Sequence, residues 1–163
     1  MRACIFPGSF DPPTVGHLDI ITRLSRISGS VLVAVGINIS KSPLFTTDER
    51  VALLRTATAH LPNVSVTRFN GLLVDFARAN NVTVICKGVR TSEDTAGELR
   101  QAHLNRMLDP EIETVLLPVA PQYMHVSSTA VREISGFGGD VASLLPASIV
   151  QTITARLAAL RQG

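Results

Sequence analysis

A glycine-containing string near the start of the chain combines residue types that can bind phosphate groups. It reads PGSFDPPTVGH and ends at His17. Gly8 lets the backbone turn tightly and approach a ligand, and Ser9 offers a hydroxyl and an amide N–H. Gly16 leaves space at the first turn of the next helix, where amides and the positive dipole end attract anions. His17 would project a ring nitrogen toward the bound group. The alternative is a plain strand–turn–helix with a capping Thr14 and a surface histidine.

Two further loops carry cations. Lys41 follows the second predicted strand, and Lys87 and Arg90 flank Gly88 at the end of the fourth. An arginine can fork onto a phosphate and a lysine offers a compact point charge, so both suit a polyphosphate. The ordinary alternatives are a solvated loop lysine and strand-terminal charge.

Two other features admit a structural and a functional reading. Ser127 and Ser128 lie at a predicted helix start, where serine caps helices and where hydroxyls and amides also hold phosphates. The apolar run at 72–74 follows a glycine and is typical of core, although an apolar wall is also what a flexible ligand arm needs.

The elements that position these residues follow from the hydrophobic pattern. Short β-rich runs alternate with longer helical patterns, which favours βαβ units. The predicted strands are residues 3–6, 31–35, 64–67, 82–86 and 114–117. The predicted helices are one capped by Thr14, one at 46–59 with a capping box, and those at 72–79, 92–108, 127–134 and from Pro146 onward. An apolar stripe marks the last of these, at Ile149, Ile153, Leu157 and Leu160.

This pattern predicts one α/β domain over residues 1–163, a doubly wound five-stranded parallel sheet with helices on both faces. Ligands of such sheets bind beyond the carboxyl ends of the strands, at the switch point. The segments that follow predicted strands are 7–17, 38–41, 87–90 and 118–128. They contain most of the residues that could do chemistry.

The composition limits the classes of binding partner and the cellular location that can be expected. A net charge of +2 is too small to indicate nucleic acid or a membrane surface, so the basic residues that matter must gather at a site. No apolar run approaches the ~18 residues that a bilayer needs, and no basic-then-apolar leader opens the sequence. Cys4 and Cys86 each lie in an apolar run, which fits reduced thiols and a cytoplasmic protein better than a disulfide.

Two spaced motifs carry a family resemblance. Thr14-Val15-Gly16-His17 matches (H/T)xGH, and the segment SSTAVR from Ser127 to Arg132 matches Ser-Ser-(Ser/Thr)-x-x-(Arg/Lys). Both are signatures of the nucleotidylyltransferase superfamily, which the chain resembles in the same order and on the same predicted elements. Within it, the chain is most similar to the phosphopantetheine adenylyltransferase family, through KSPLF, DER, GLLVDFA, KGVR and GDV.

The resemblance implies a Rossmann-like fold and an enzyme that transfers AMP from ATP to 4′-phosphopantetheine, giving dephospho-CoA and pyrophosphate. The implied catalytic residues are His17, Lys41 and Arg90. The implied ATP-binding residues are Ser9, Phe10, His17, Gly88, Arg90, Glu98, Val126, Ser127 and Ser128. The implied substrate-binding residues are Ser9, Lys41, Leu73 and Lys87. Two alternatives stay open: another adenylyltransferase, such as one acting on nicotinate mononucleotide, and a non-catalytic nucleotide-binding module.

The resemblance also implies Mg²⁺ on the phosphates, a homo-hexamer and feedback inhibition by coenzyme A. The sequence offers no dedicated carboxylate cage for a metal, and the nearby Asp11 is expected to be structural. Three departures from the family pattern stand out. Lys87 occupies a position where many members carry Arg, the stretch 95–97 replaces an aromatic–acidic–aromatic run, and Met124-His125 replaces Ser-Phe.

Overall fold

The computed structural model describes residues 2–37 and 43–162. Its strands are β1 (Ala3–Gly8), β2 (Ser30–Gly36), β3 (Val64–Phe69), β4 (Val84–Val89) and β5 (Glu113–Pro118). Its α-helices are α1 (Val15–Ile27), α2 (Thr47–Thr58), α3 (Leu73–Ala79), α4 (Ser92–Leu108), α5 (Ser128–Gly136) and α6 (Val150–Gln162). Strands and helices alternate through β5, as the sequence pattern predicted.

The five strands form one parallel sheet in the order β3-β2-β1-β4-β5. Phe6 of β1 lies opposite Val33 of β2, and Ile5 of β1 lies opposite Ile85 of β4. The chain winds outward from β1 to β3 on one side and then returns to β4 on the other. The connections that follow β1 and β4 therefore run in opposite directions, which opens a crevice at the carboxyl ends of these two strands.

Helices cover both faces of this sheet because successive strand residues point to opposite sides. On one face, Phe6 and Val33 pack with Leu24 of α1 and with side chains of α2. On the other face, Ile5 packs with Val74 of α3, and α4 contacts β4 and β5. Each large aliphatic side chain that is fully buried contributes on the order of 1.5–3 kcal/mol to folding. The predicted doubly wound architecture is confirmed.

The C-terminal helix begins later than the sequence predicts. It starts at Val150 and not at Pro146, because residues 147–149 form a turn in which the N–H of Ile149 donates to the carbonyl of Pro146 at 3.0 Å. Ile149, Ile153 and Leu157 are buried against α5 and its surroundings, as the stripe predicts. Leu160 is 55% exposed and does not belong to the buried stripe.

The start of β4 is another boundary that the sequence misplaces, here by two residues. β4 begins at Val84, whereas residues 82–86 were the predicted strand. Val82 is buried, but its N–H donates to the carbonyl of Ala77 at 3.0 Å and so completes the end of α3 before the strand begins.

Cys4 and Cys86 are buried free thiols. Among the residues that the structure describes, no helix is both long enough and apolar enough to cross a membrane.

Candidate active site

A cleft of about 340 Å³ lies at the carboxyl ends of β1 and β4. Its walls are formed by the loop after β1, the first turns of α1 and α5, the end of β4 and one face of α4. Ten of the predicted site residues line it, namely Ser9, Phe10, His17, Lys87, Gly88, Arg90, Glu98, Val126, Ser127 and Ser128. The cleft is therefore at the predicted switch point.

His17 is held at the cleft wall by the first turn of α1. Thr14 is the N-cap, and the two residues form a capping box in which the histidine takes the place of the usual Glu or Gln. The Thr14 N–H donates to His17 Nδ1 at 3.1 Å, and the Thr14 hydroxyl lies 3.0 Å from the same nitrogen. Because Nδ1 accepts a hydrogen bond, the proton of the neutral ring is on Nε2.

The surroundings of His17 favour its neutral form. Burial, and after it the positive charge of Arg90, lower the pKa of His17 from 6.5 to about 4. Near pH 7 the ring is therefore a neutral hydrogen-bond donor with its Nε2–H available to the cleft. This arrangement suits a donor to a phosphate oxygen better than a general base.

Phe10 supports this ring from below. Its side chain is 1% exposed and meets the imidazole edge-on, with ring centroids 5.0 Å apart. A Cβ on Gly8 would come within 2.8 Å of the Phe10 ring, so a side chain there would displace it. The structure thus adds a packing role for Gly8, which also lines the cleft, and its predicted approach to a ligand stays a prediction. Any contact between Phe10 and a nucleotide would involve its main chain.

Two helix N-termini converge on the cleft. Gly16 lies in the first turn of α1, and Ser128 and Thr129 begin α5. The first amides of a helix have no intrahelical acceptor, and they carry the positive end of its dipole. Ser127 caps α5 by accepting from the Ala130 N–H at 2.9 Å, so the capping interpretation is correct for it. Two such helix starts at one cleft suit the binding of anionic oxygens.

The Ser128 hydroxyl ties α5 to the loop after β1. It donates to the carbonyl of Pro12 at 2.8 Å. In this arrangement the side chain holds the two helix starts together, and the Ser128 N–H, one of the first amides of α5, is the donor of this residue that has no intrahelical acceptor.

The two cations at the end of β4 are each paired with a carboxylate of α4. Lys87 Nζ lies 3.1 Å from a carboxylate oxygen of Glu98. Arg90 forks onto Asp94, with N–O distances of 2.8 and 3.2 Å, and donates a third hydrogen bond to the Val126 carbonyl at 3.1 Å. Polyphosphate binding would have to compete with these carboxylates, which lie one turn apart on the same face of α4.

Gly88, which lies between these two cations in the sequence, leaves room for a neighbouring side chain of α1. A Cβ at this position would lie 3.2 Å from Cγ1 of Ile20, which fills the space beside β4. The glycine therefore allows α1 to approach the sheet closely, and its main chain still lines the cleft. The expected role in close ligand approach is supplemented by this structural one.

The structure does not bring every predicted residue into the cleft. Lys41 lies outside the described residues, so its role stays a prediction. Leu73 opens α3 and packs against the buried cluster on the far face of the sheet, and it is not among the residues that line the cleft. Its predicted contact with the acceptor arm also stays a prediction.

Sequence reasoning missed Asp94 and the role of Thr14 beyond capping. Asp94 lies four residues after Arg90 and four before Glu98, and this i, i+4 spacing was the signal that could have found it. α4 runs without interruption through Gly97, whose position is open to solvent, so the unusual stretch at 95–97 leaves the helix intact.

Asp11 connects the loop after β1 to neighbouring segments of the chain, which confirms its predicted structural role. Asp11 is 5% exposed, and its carboxylate accepts hydrogen bonds from the N–H groups of Leu44 and Phe45 at 2.8 and 2.9 Å. Arg132 of α5 approaches the same carboxylate at 3.4 Å. In a similar way, the buried Arg50 of α2 donates to the carbonyl of Ser9 at 2.6 Å.

The fold and the cleft define a nucleotide-binding α/β protein with a site suited to phosphate groups. A family model described as cytidylyltransferase-like matches residues 5–134. A relative from Rubrobacter xylanophilus named phosphopantetheine adenylyltransferase is 50% identical over 153 residues, covering 94% of this chain and 93% of the relative. One of the same name from Levilactobacillus brevis is 47% identical over 157 residues, covering 96% and 98%. The chain belongs to the cytidylyltransferase-like family and, within it, to the phosphopantetheine adenylyltransferases.

A solved structure supports the fold independently. A protein from Vibrio parahaemolyticus, assigned as a nicotinate-nucleotide adenylyltransferase, superposes with a TM-score of 0.62 over 94% of this chain and 99% of its own. The two sequences are 17% identical, so the likeness concerns the fold alone.

Proposed function

We propose that the protein transfers AMP from ATP to 4′-phosphopantetheine, which gives dephospho-CoA and pyrophosphate. The observation that carries the proposal is the convergence on one cleft of two helix N-termini, the Nε2–H of His17 and the cations Lys87 and Arg90. Relatives of up to 50% identity carry the name of this activity. The other adenylyltransferase and the binding module remain outcomes of the test.

The reaction is an in-line displacement at the α-phosphorus of ATP. An oxygen of the acceptor phosphate forms a bond to this phosphorus, and the bond to the bridging oxygen of pyrophosphate breaks. No covalent intermediate with the protein is needed, so the protein contributes positioning and charge stabilisation. His17 donates its Nε2–H to a non-bridging α-phosphate oxygen, on which negative charge must be stabilised during transfer.

The remaining residues divide between the two substrates. The amides that begin α5, together with Ser127 and Arg90, hold the β- and γ-phosphates of ATP, and Glu98 contacts the ribose region. Lys87 and Ser9 hold the acceptor phosphate. Lys41 bridges the phosphates of both substrates, and Leu73 lines the pantetheine arm. Lys87 keeps the charge of the arginine found in many relatives but gives up its bidentate geometry.

Mg²⁺ is proposed to arrive on the phosphates of ATP. Within residues 2–37 and 43–162, no group of three or more His, Cys, Asp or Glu side chains could hold a metal ion. The two carboxylates of the cleft, Asp94 and Glu98, are already engaged by Arg90 and Lys87. Oxygen ligands from the substrate fit the preference of Mg²⁺ better than this paired set.

Assembly, regulation and location complete the proposal. A homo-hexamer is proposed from the family resemblance, and subunit contacts would cover some of the large apolar side chains that the single chain leaves in solvent, such as Phe137 at 96% exposure and Met107 at 71%. Coenzyme A would act as a feedback inhibitor because it contains the acceptor arm and an adenine nucleotide. Reduced thiols at Cys4 and Cys86 fit a cytoplasmic enzyme.

Release of pyrophosphate from ATP tests the reaction. With Mg²⁺ present, we expect release with 4′-phosphopantetheine and none with pantetheine, which lacks the attacking phosphate. Nicotinate mononucleotide should give no release. Release with nicotinate mononucleotide alone would assign the chain to the other adenylyltransferase. ATP binding without release for any acceptor would favour the nucleotide-binding module.

A further inference from the structure

Thr14 has a hydrogen-bonding role that its position in the motif does not explain. Thr14 is 1% exposed and lines the cleft. A capping threonine needs only to accept from the N–H three residues on, and here that contact, from the His17 N–H, is 3.4 Å long. The shorter contacts of Thr14 are to the imidazole.

Two donors of Thr14 converge on one nitrogen of His17. The backbone N–H of Thr14 is 3.1 Å from Nδ1, and its hydroxyl oxygen is 3.0 Å from the same atom. The N–H can only donate, so Nδ1 is an acceptor. An unprotonated ring nitrogen can only accept, so the hydroxyl is the donor in its contact with Nδ1, where it shares the single lone pair with the backbone N–H.

The other side of the ring is confined as well. The Phe10 ring meets the imidazole edge-on, with centroids 5.0 Å apart, and so limits rotation of the histidine side chain. With Nδ1 engaged by Thr14, Nε2 is the nitrogen left for the cleft.

We propose that Thr14 is a positioning residue, which holds His17 in its Nε2–H tautomer and aims that proton into the cleft. This inference rests on the proposed function, because the tautomer matters to a reaction only if His17 donates to the transferred phosphate. The wrong tautomer would present a lone pair to a negatively charged phosphate oxygen and repel it.

The tautomer can be measured without any substrate. In the full chain labelled with ¹⁵N, the ring nitrogens of His17 should show an unprotonated Nδ1 and a protonated Nε2 at pH 7.5, with the resonances assigned from His17→Ala. Thr14→Val removes the hydroxyl and keeps the backbone donor, so the Nε2–H tautomer should become less favoured and a minor, detectable Nδ1–H population should appear. Thr14→Ser keeps the hydroxyl and should retain the wild-type spectrum.

Turnover should follow the tautomer. We expect Thr14→Val to lower kcat about tenfold and to leave the KM for ATP within about twofold, and Thr14→Ser to restore kcat. Thr46→Val is the matched control, because Thr46 caps α2 in a capping box with Glu49 away from the cleft. It should lose a similar amount of stability, with neither the tautomer nor kcat changed.

The outcomes separate this inference from the proposed function. An Nδ1–H tautomer in the wild-type protein overturns the inference, and this result does not depend on whether Thr14→Val folds. A Thr14→Val protein with an unchanged spectrum and full kcat overturns it too. A wild-type protein that transfers AMP to no acceptor contradicts the proposed function, while the ring spectra still decide the role of Thr14 in fixing the tautomer.

Discussion

At the scale of single residues, the chemistry of the cleft depends on which groups are charged. Lys87 and Arg90 bring positive charge, and Glu98 and Asp94 balance it within hydrogen-bond distance. His17 adds no charge near pH 7, because burial and Arg90 lower its pKa to about 4. A neutral donor in this position can stabilise charge that develops on a phosphate oxygen without adding to the repulsion between cations in the empty site.

Replacing His17 with alanine should therefore affect the transfer step more than binding. We expect kcat to fall at least about 100-fold, since one preorganised donor to the transition state is lost. The affinity for ATP, measured by calorimetry, should change little because the helix N-termini and Arg90 remain. His125→Ala is a suitable control, because His125 is exposed and does not line the cleft. Near-normal turnover of His17→Ala would remove His17 from the mechanism.

At the scale of the elements, local signals predicted the structure well where one element decides its own ends. The capping box of Thr46 and Glu49 forms as predicted, and α4 has the predicted bounds. Pro146 is a good first helical residue, yet α6 begins four residues later, at Val150. There residues 147–149 form a separate turn, which local sequence does not reveal because Pro146 and the apolar stripe that includes Ile149 both favour a helix from residue 146.

The location of the site was predictable from the sequence, but most of the contacts that position its residues were not. The order of strands brings the ends of β1 and β4 together, so His17 and Arg90 could be placed at one cleft from their motifs. The contact between Gly8 and the Phe10 ring depends on three-dimensional packing, so residue spacing does not reveal it. The pairing of Arg90 with Asp94 does have a signal in its i, i+4 spacing, but that spacing alone does not show that the pair lines the cleft.

Asp11 connects three elements, and its loss should destabilise the whole site. The two carboxylate oxygens of Asp11 accept the N–H groups of Leu44 and Phe45. In Asp11→Asn one of these oxygens becomes an NH₂ group, so one of the two hydrogen bonds is lost. We expect the free energy of unfolding to fall by about 2 kcal/mol in urea denaturation. Asp75→Asn removes an exposed ion pair with Arg78 and should cost less than about 0.5 kcal/mol. Equal effects of the two substitutions would show that Asp11 does not anchor these loops.

At the scale of the whole molecule, the two halves of the doubly wound sheet meet at the cleft, so the active-site residues also contribute to global stability. α1 packs on the sheet through Leu24 and carries His17 at its first turn. Since the histidine is neutral in the native protein, its protonation must be coupled to unfolding. The pH dependence of stability therefore reports on the site without any substrate.

The sign of this coupling follows from the two pKa values. His17 has an ordinary pKa of 6.5 in the unfolded chain and one of about 4 in the native protein. Between these values the unfolded chain binds more protons, so the free energy of unfolding falls as the pH is lowered from 6.5 toward 4. Above this window both states are neutral at His17. Hydrogen bonds lower the pKa values of Glu49 and Glu93 from an ordinary value of 4.5. These carboxyls therefore titrate at a lower pH than the upper part of the His17 window.

Urea denaturation at pH 6.5 and at pH 5 measures the effect. One proton taken up on unfolding corresponds to at most about 1.4 kcal/mol per pH unit, and water in the cleft reduces this because the ring is partly exposed there. We expect a loss of about 1–2 kcal/mol between these pH values in the wild type and a clearly smaller loss in His17→Asn. His60→Asn, at an exposed position, should behave as the wild type. If His17→Asn keeps the full wild-type loss, His17 is not held neutral, and its role as a neutral donor in the cleft is wrong.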